Sequence, residues 1–259
     1  MSELILTETD GPIATVILNN PGKRNALCRA AWGALADTIG ELNGRDDLRC
    51  VIIRGAGEQA FAAGADISEF PENRANGEQA MAYGEDVERA LGALLGCKHP
   101  TLAMIYGACT GGGLEIASCC DMRIAGTSAR LGVPINRIGH AFAPAEMKPV
   151  IDLVGKALVL ELLLEGRIFD ADEALARGLV NRVVADDQLA DDVRTSANRI
   201  ATGAPLAARM TKSLVHKVMD GQPLSEAELR DAYSLCDSDD YAEGVRAFLA
   251  KEKPDFKGR

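Results

Sequence analysis

The central stretch of the chain, residues 105–125, reads IYGACTGGGLEIASCCDMRIA. It begins as the end of an apolar strand, passes through three consecutive glycines at 111–113, and continues as LEIASCC, whose almost wholly apolar composition is typical of a buried helix. Glu115 is the one charged side chain in that segment. The stretch therefore predicts a strand-to-helix crossing with a glutamate in the first turn of the helix.

A strand-to-helix crossing of this kind contains the backbone groups that an oxyanion-binding site needs. Glycines let the backbone approach a ligand closely, and the first amides of a helix have no intrahelical partner, so they are able to donate to an oxygen. The helix dipole favours a carboxylate in the first turn, so we expect Glu115 to stay ionised and to serve as a base. The glycine run alone leaves open a plain alternative, a tight crossing with a solvated glutamate.

The spacing of the glycines excludes two other kinds of ligand loop. The run lacks the Gly-Lys-Ser/Thr ending of a P-loop, and GGGLE does not have the Gly-x-Gly-x-x-Gly spacing of a dinucleotide site. Neither a nucleoside triphosphate site nor a dinucleotide site is predicted there.

Two further segments repeat these features or add charge. FAAGAD at 61–66 is a second apolar strand followed by small residues that expose backbone amides, with Asp66 or Ser68 placed to cap a following helix. NNPGKRNAL at 19–27 carries Lys23 and Arg24 on a turn, where solvated loop charges and contacts with a phosphorylated ligand are both open interpretations.

The order and spacing of these three motifs resemble those of the crotonase superfamily, the enoyl-CoA hydratases and isomerases, over essentially the whole chain. The resemblance implies an α/β fold, a crotonase-like spiral of strand-strand-helix repeats followed by a C-terminal helical trimerisation region. It implies that the amides of Ala65 and Gly112 form an oxyanion hole for an acyl-CoA thioester, with Glu115 as the catalytic acid–base. The residues implied to bind the CoA substrate are Lys23, Arg24, Ala63, Ala65, Asp66, Ile67, Gly111, Gly112, Ile135, Phe256 and Lys257.

The sequence differs from the family pattern at one catalytic position. The hydratases of the family hold the attacking water between two glutamates, and counting twenty residues on from Glu115, to the place of the second glutamate, reaches Ile135. His140 and Glu146 are the only nearby ionisable groups that could substitute. Because neither matches a catalytic position of the family, we expect a surface or core-supporting role for both.

The function predicted from the resemblance is that of an acyl-CoA enzyme, nominally an enoyl-CoA hydratase. The replacement at Ile135 keeps two alternatives open. One is an isomerase, or another lyase or hydrolase of CoA thioesters. The other, of a different class, is an acyl-CoA-binding protein whose catalysis is impaired.

Hydrophobic patterns divide the chain into two regions. Residues 1–186 are predicted to form the spiral core with the thioester site. They contain strands at 3–8, 12–18, 50–55 and 101–106, and helices at 26–43 and at 67–98 with a break at 73–77. Residues 187–259 are predicted to form three or four helices that assemble the chain into a homotrimer or a dimer of trimers, as the family resemblance implies.

The composition limits the kinds of molecule that the chain is expected to bind. The net charge of −10 argues against nucleic acid or an anionic membrane surface as the main partner, and no apolar run has the quality of a membrane span. Seven cysteines without a Cys-x-x-Cys pair suit reduced thiols of a cytoplasmic protein. Three scattered histidines predict no metal site, and no cofactor is expected beyond CoA as part of the substrate.

Overall fold

The computed structural model describes residues 3–221 and 223–259. Residues 1 and 2 of the predicted core region, and residue 222 of the predicted helical region, lie outside the described residues. The strands in these ranges are β1 (Ile5–Asp10), β2 (Ile13–Leu18), β3 (Cys50–Gly55), β4 (Ala60–Ala62), β5 (Thr101–Ile105), β6 (Ala108–Thr110), β7 (Met122–Gly126), β8 (Arg130–Gly132), β9 (Ile168–Asp170) and β10 (Arg182–Val184).

The helices in these ranges lie between and after the strands, and the last four form the C-terminal part of the chain. They are α1 (Arg29–Asn43), α2 (Phe70–Asn73), α3 (Gly77–Leu95), α4 (Gly112–Cys119), α5 (Pro144–Glu165), α6 (Ala171–Ala176), α7 (Asp186–Ala201), α8 (Pro205–Met219), α9 (Glu226–Ser234) and α10 (Asp239–Ala250). Short 3₁₀ turns lie at Pro21–Lys23, Ile67–Glu69, Ile135–Ile138 and Leu235–Asp237.

The strands form two sheets, as a strand-strand-helix spiral requires. The larger has the order β1-β2-β3-β5-β7-β10 and is parallel except for the β1–β2 hairpin; the smaller has the order β4-β6-β8-β9 and is parallel except for β8–β9. In three successive repeats the first strand (β3, β5, β7) joins the larger sheet, the second (β4, β6, β8) joins the smaller, and helices follow. This confirms the predicted α/β spiral.

The central strands β2, β3 and β5 of the larger sheet are buried on both faces, which explains why they read as nearly continuous apolar runs. Alternate residues point to opposite sides: Val51 and Ile53 of β3 belong to the main core with α1 and α3, whereas Cys50 and Ile52 belong to a second apolar cluster. Helix α7 covers that second face with its apolar stripe. The boundary predicted between residues 186 and 187 therefore falls in the first turn of α7, a helix that packs on the sheet of the core.

Two predicted elements have different boundaries in the structure. Helix α1 begins at Arg29 and not at 26, because Leu27 is drawn into a bridge with Ala65, donating to the carbonyl of Gly64 and accepting from the amide of Asp66, both at 2.8 Å. The hairpin is confirmed, but β1 is shifted to Ile5–Asp10, where Asp10 pairs with Ile13.

The remaining helices α8 to α10 leave apolar side chains on the surface. Phe248 is 83% exposed and Leu249 is 76% exposed. The tail that follows α10 is tied back to it, since Asp240 accepts the amides of Lys257 at 2.6 Å and Gly258 at 2.9 Å. Among the described residues, no helix is long and apolar enough to cross a membrane.

Candidate active site

A cavity of about 130 Å³ opens where the glycine run meets the FAAGAD segment. Its walls come from α1, the 63–67 segment, the ends of α2 and β6, α3, the first turn of α4, the 133–142 segment and the start of α5. Most of its lining is apolar, and a few ionisable side chains point toward the same space. A concave site with this composition is typical of a small-molecule site.

The three sequence motifs are joined by backbone hydrogen bonds beside this cavity. The carbonyl of Arg24 accepts the amide of Ala63 at 3.0 Å, and Leu27 pairs with the segment that follows. The hydroxyl of Thr110 donates to the carbonyl of Ala63 at 3.1 Å, which ties the 63–66 turn to the strand before the glycines. The turn and the start of α4 are thereby held face to face.

Glycine is required where these two backbones meet. Gly64 has a φ of +100°, and a Cβ there would lie 3.0 Å from the carbonyl oxygen of Thr110. A Cβ on Gly113 would lie 2.2 Å from the carbonyl oxygen of Ala62. A side chain at either position would push the start of α4 away from the turn.

The amides of Ala65 and Gly112 lie side by side at this junction. A Cβ built on Gly112 would lie 3.7 Å from the nitrogen of Ala65. Within 3–221 and 223–259, neither amide donates a hydrogen bond to another group of the protein. Two neighbouring free donors at the mouth of a helix are suited to bind one oxygen that carries negative charge.

Glu115 is the first carboxyl group of the cavity and is only 4% exposed. Burial, together with the nearby carboxyl group of Glu146, raises the pKa of Glu115 well above its ordinary value, although the guanidinium of Arg74 opposes this shift. The helix-dipole argument predicted that Glu115 stays ionised, but its pKa is shifted in the direction that favours the neutral form. The helix dipole acts on it, but removal from water and a second carboxyl group oppose the charge more strongly.

Glu146 is the second carboxyl group and lies in the first turn of α5. It is 6% exposed, and its Oε2 accepts the amide of Ala143 at 2.9 Å. Burial raises the pKa of Glu146, while the hydrogen bond from Ala143 and the charge of Arg74 lower it. The expected surface placement was wrong, because α5 packs against α4 and Glu146 is a buried side chain that lines the same cavity.

Arg74 and His140 complete the polar part of the wall. The guanidinium of Arg74 lies 4.8 Å from the ring centre of Phe70 and 4.9 Å from that of Tyr83, and it contacts Nε2 of His140. A guanidinium only donates, so Nε2 accepts and His140 is neutral with its proton on Nδ1. Burial and the charge of Arg74 lower the pKa of His140, which agrees with that assignment.

Aromatic side chains form another part of the cavity wall, called the floor here. The indole nitrogen of Trp32 donates to the hydroxyl of Tyr83 at 3.2 Å, and the rings of Phe70 and Tyr83 meet edge to face with centres 6.2 Å apart. Burial raises the pKa of Tyr83 to about 12, so this hydroxyl stays protonated at neutral pH. The floor is fixed by packing and is uncharged.

Comparison with known proteins decides the family. The family model described as enoyl-CoA hydratase/isomerase matches residues 8–259. The chain belongs to the enoyl-CoA hydratase/isomerase family. A probable enoyl-CoA hydratase of Mycobacterium bovis is 35% identical over 99% of this chain and 99% of its own. The short-chain-enoyl-CoA hydratase of Clostridium acetobutylicum is 34% identical over 98% of each chain.

Solved structures of family members have the same fold. A structure described as an enoyl-CoA hydratase/carnithine racemase from Magnetospirillum magneticum is 47% identical, with a TM-score of 0.98 and coverage of 100% of this chain and 97% of that one. The enoyl-CoA hydratase of Bacillus anthracis is 30% identical, with a TM-score of 0.90 and coverage of 99% and 100%. These matches confirm the predicted membership of the crotonase superfamily.

Most of the residues predicted for the site of this family member line the cavity. They are Ala63, Ala65, Ile67, Gly111, Gly112, Glu115 and Ile135. Arg24 instead supports the site through its backbone. Lys23 and Asp66 form an ion pair of 2.6 Å beside the exposed Ile67, and Asp66 caps the following turn by accepting the amide of Ser68 at 3.1 Å.

Phe256 and Lys257 were predicted to contact CoA, but the structure does not bring them to the cavity of their own chain. The carbonyl of Phe256 accepts from Arg49, and the backbone of Lys257 is bound by Asp240 on α10. Their predicted contact with CoA therefore has no counterpart in the cavity of a single chain.

Sequence reasoning did not assign six of the side chains that line the cavity to the site: Trp32, Phe70, Arg74, Tyr83, His140 and Glu146. One signal was available for Glu146. In APAE at 143–146, a proline precedes a glutamate by two residues, which is typical of the first turn of a helix and places a carboxyl group there. Arg74 lies in a helix break and has no comparable signal. Among the described residues, no cluster of potential ligands is arranged to hold a metal ion.

Proposed function

We propose that this chain is an enoyl-CoA hydratase, which adds water across the C2=C3 double bond of a 2-enoyl-CoA. The observation that supports the reaction most directly is the meeting of two free amides, of Ala65 and Gly112, with the buried carboxyl group of Glu115 in one cavity. Relatives aligned over nearly the whole chain are named as hydratases of this class.

The two amides act on the thioester carbonyl. When a nucleophile adds at C3, the electrons of the double bond move onto the carbonyl oxygen and give an enolate. Donors that already point at that oxygen stabilise its charge more than they stabilise the neutral thioester, which lowers the barrier. The cavity is mostly apolar, so each of these hydrogen bonds is stronger than it would be in bulk solvent.

Glu115 donates a proton to the substrate in this proposal. Because its raised pKa favours the neutral form, Glu115 enters the reaction as an acid that protonates C2 when the enolate collapses. Addition of water also requires a base for the water itself, and Ile135 at the family's second glutamate position has no group to offer.

The CoA portion lies outside the cavity in this proposal. Lys23 and Arg24 lie on the turn next to the mouth and are suited to contact phosphate oxygens of CoA, with Asp66 orienting Lys23. We further propose that the chain forms a homotrimer or a dimer of trimers, since the exposed apolar side chains of α8 to α10 support burial against other copies. Free thiols at all seven cysteines suit a reducing compartment, in agreement with the proposed cytoplasmic location.

A direct assay tests the proposal. Loss of the absorbance of the conjugated thioester is followed with 2-enoyl-CoAs of short and long chain, beside calorimetric titration with a saturated acyl-CoA. Turnover that saturates with substrate supports a hydratase. Appearance of that absorbance from 3-enoyl-CoAs without net hydration would instead identify an isomerase, and tight binding without turnover would identify a CoA-binding protein.

A further inference from the structure

Hydration across an enoyl thioester needs two proton-transfer groups, one for the water and one for C2. Glu115 accounts for one of them, and Ile135 presents an apolar side chain where the other is expected. Glu146 is the only other carboxyl group that lines the cavity within the described residues. It reaches the cavity from α5, a different element from the one that carries residue 135.

A purely structural role for Glu146 would be that of a helix cap. Its hydrogen bond with the amide of Ala143 is indeed a cap, but a carboxyl group can cap a first turn while remaining in solvent. Here the group is 6% exposed and faces a second buried carboxyl group, which disfavours charge on both. An arrangement that is unfavourable for folding and lies in a ligand-sized cavity indicates a functional pair.

We propose that Glu146 is the second catalytic residue of this site and takes the proton from the attacking water, while Glu115 protonates C2. The inference rests on the proposed function, because it assigns a role within hydration. It replaces the family's second glutamate with a carboxyl group delivered by another helix.

Hydrogen bonding decides which carboxyl group holds the proton. Glu146 accepts an N–H bond from Ala143, which favours its ionised form, whereas the side chain of Glu115 has no such donor in the part of the chain described. The other ionisable groups of the cavity are Arg74, neutral His140 and protonated Tyr83. A single negative charge shared by the pair is thus balanced by the cation of Arg74.

The step is balanced in atoms and charge. The oxygen of water bonds to C3 as Glu146 accepts one of its protons, and the electrons of the double bond move to the thioester oxygen held by Ala65 and Gly112. When the carbonyl re-forms, C2 takes the proton of Glu115. The site resets when the proton gained by Glu146 replaces the one that Glu115 lost.

Glu146→Gln tests this role with little structural change, because the amide oxygen of glutamine still accepts the amide of Ala143. Glu165→Gln is the matched control, since it makes the same change at an exposed position of the same helix. We expect kcat for hydration of a short 2-enoyl-CoA to fall by about 100-fold or more in Glu146→Gln, with KM little changed and the thermal midpoint not lowered. The control should match the parent.

The pH profile separates a catalytic role from a structural one. In the parent, kcat/KM should rise on the acid side as Glu146 ionises and fall on the alkaline side as Glu115 loses its proton, with limits that belong to the coupled pair. The residual activity of Glu146→Gln should lack the acid limb, whereas a structural defect would lower the profile at every pH.

The outcomes separate this inference from the proposed function. A parent that hydrates enoyl-CoA, with Glu146→Gln within about threefold of it, would overturn the inference and leave the hydratase assignment intact. An unchanged acid limb in Glu146→Gln would overturn it as well. A parent that hydrates no enoyl-CoA would overturn the proposed function and this role of Glu146 together.

Discussion

Glu146 and Glu115 place their carboxyl groups in one buried cavity, each from the first turn of a different helix. The amides at both helix starts favour negative charge, yet burial and mutual repulsion disfavour it. The two helices thus hold an acid–base pair whose pKa values are pushed upward. This relationship underlies several of the expected behaviours of the protein.

Glu115→Gln should stabilise the protein while inactivating it. The folded-state pKa of Glu115 is raised above its unfolded value, so between those two values the folded state binds more protons than the unfolded state. Stability of the parent is then lost as pH rises from about 4.5 through the folded-state pKa. Glutamine has no proton to lose, so the gain in thermal midpoint should be absent at pH 4 and present at pH 7.

Thermal unfolding from pH 4 to pH 8, beside hydration kinetics, measures both effects. We expect kcat to fall by about 100-fold or more. Glu165→Gln, on the exposed part of α5, is the control and should show neither change. A variant that is no more stable than the parent at pH 7, or that keeps its turnover, would contradict the buried neutral acid assigned to Glu115.

Gly112→Ala should disable the oxyanion hole. The added Cβ would lie 2.7 Å from Cζ2 of Trp32 and 3.7 Å from the nitrogen of Ala65, so either the ring or the start of α4 must move. Loss of one oxyanion donor lowers kcat by about 10²–10³. Gly84→Ala, at a helical glycine with open space around it, is the control and should remain active. Unchanged kinetics of a folded Gly112→Ala would refute the proposed hole.

Arg74→Met should move the acid limb of the kcat/KM profile to higher pH. The guanidinium lowers the pKa of both carboxyl groups, so its removal raises both values and the ionised base appears only at higher pH. Methionine keeps contact with Phe70 and Tyr83. Arg89→Met, which removes a surface partner of Asp37, is the control at the same ionic strength. A shift toward lower pH would contradict the charge balance proposed for the cavity.

Lys23→Gln should weaken binding of the CoA portion and leave the chemical step intact. Lys23 is exposed on its turn and held by Asp66 at 2.6 Å and by Ser68 at 3.0 Å. We expect KM to rise severalfold, kcat to stay constant, and the dependence of KM on salt to become weaker. Lys148→Gln, which removes a surface ion pair on α5, provides the comparison. Equal KM values for parent and Lys23→Gln would remove Lys23 from the binding site.

The fold was largely predictable because its long elements leave local patterns. The strand predicted at 50–55 is β3, and the break predicted at 73–77 separates α2 from α3, where Asn76 caps the second helix by accepting the amide of Gln79 at 3.0 Å. The three-residue strands β6 and β9 were not predicted, because they exist only through pairing with distant segments.

The parts of the candidate site that consist of backbone amides could be predicted from the sequence. The parts that depend on how distant elements pack together could not. Glycines and small residues in the sequence indicated exposed backbone amides, and the family resemblance assigned the amides of Ala65 and Gly112 among them. The upward shift of the Glu115 pKa was not predicted, because the field of one helix is visible in sequence and the burial of that helix is not. The position of Glu146 in the cavity was not predicted for the same reason, since it depends on the packing of α5 against α4.

The last prediction moves the second carboxyl group back to position 135. Ile135 lines the cavity, so a glutamate there is directed at the same space as Glu146. In the parent, Ile135→Glu would add a third carboxyl group to a mostly apolar cavity and should lower both stability and turnover. In the Glu146→Gln background the number of carboxyl groups returns to two.

If the reaction needs a second carboxyl group and not Glu146 as such, the double variant should recover hydration. We expect Glu146→Gln/Ile135→Glu to exceed Glu146→Gln by about tenfold or more in kcat and to regain an acid limb in its pH profile. Ile135→Gln in the same background is the control for size and polarity without charge. Thermal unfolding shows that each variant folds. A folded double variant with no gain over this control would mean that the base must approach from α5, because only that direction places it beside the water that attacks C3.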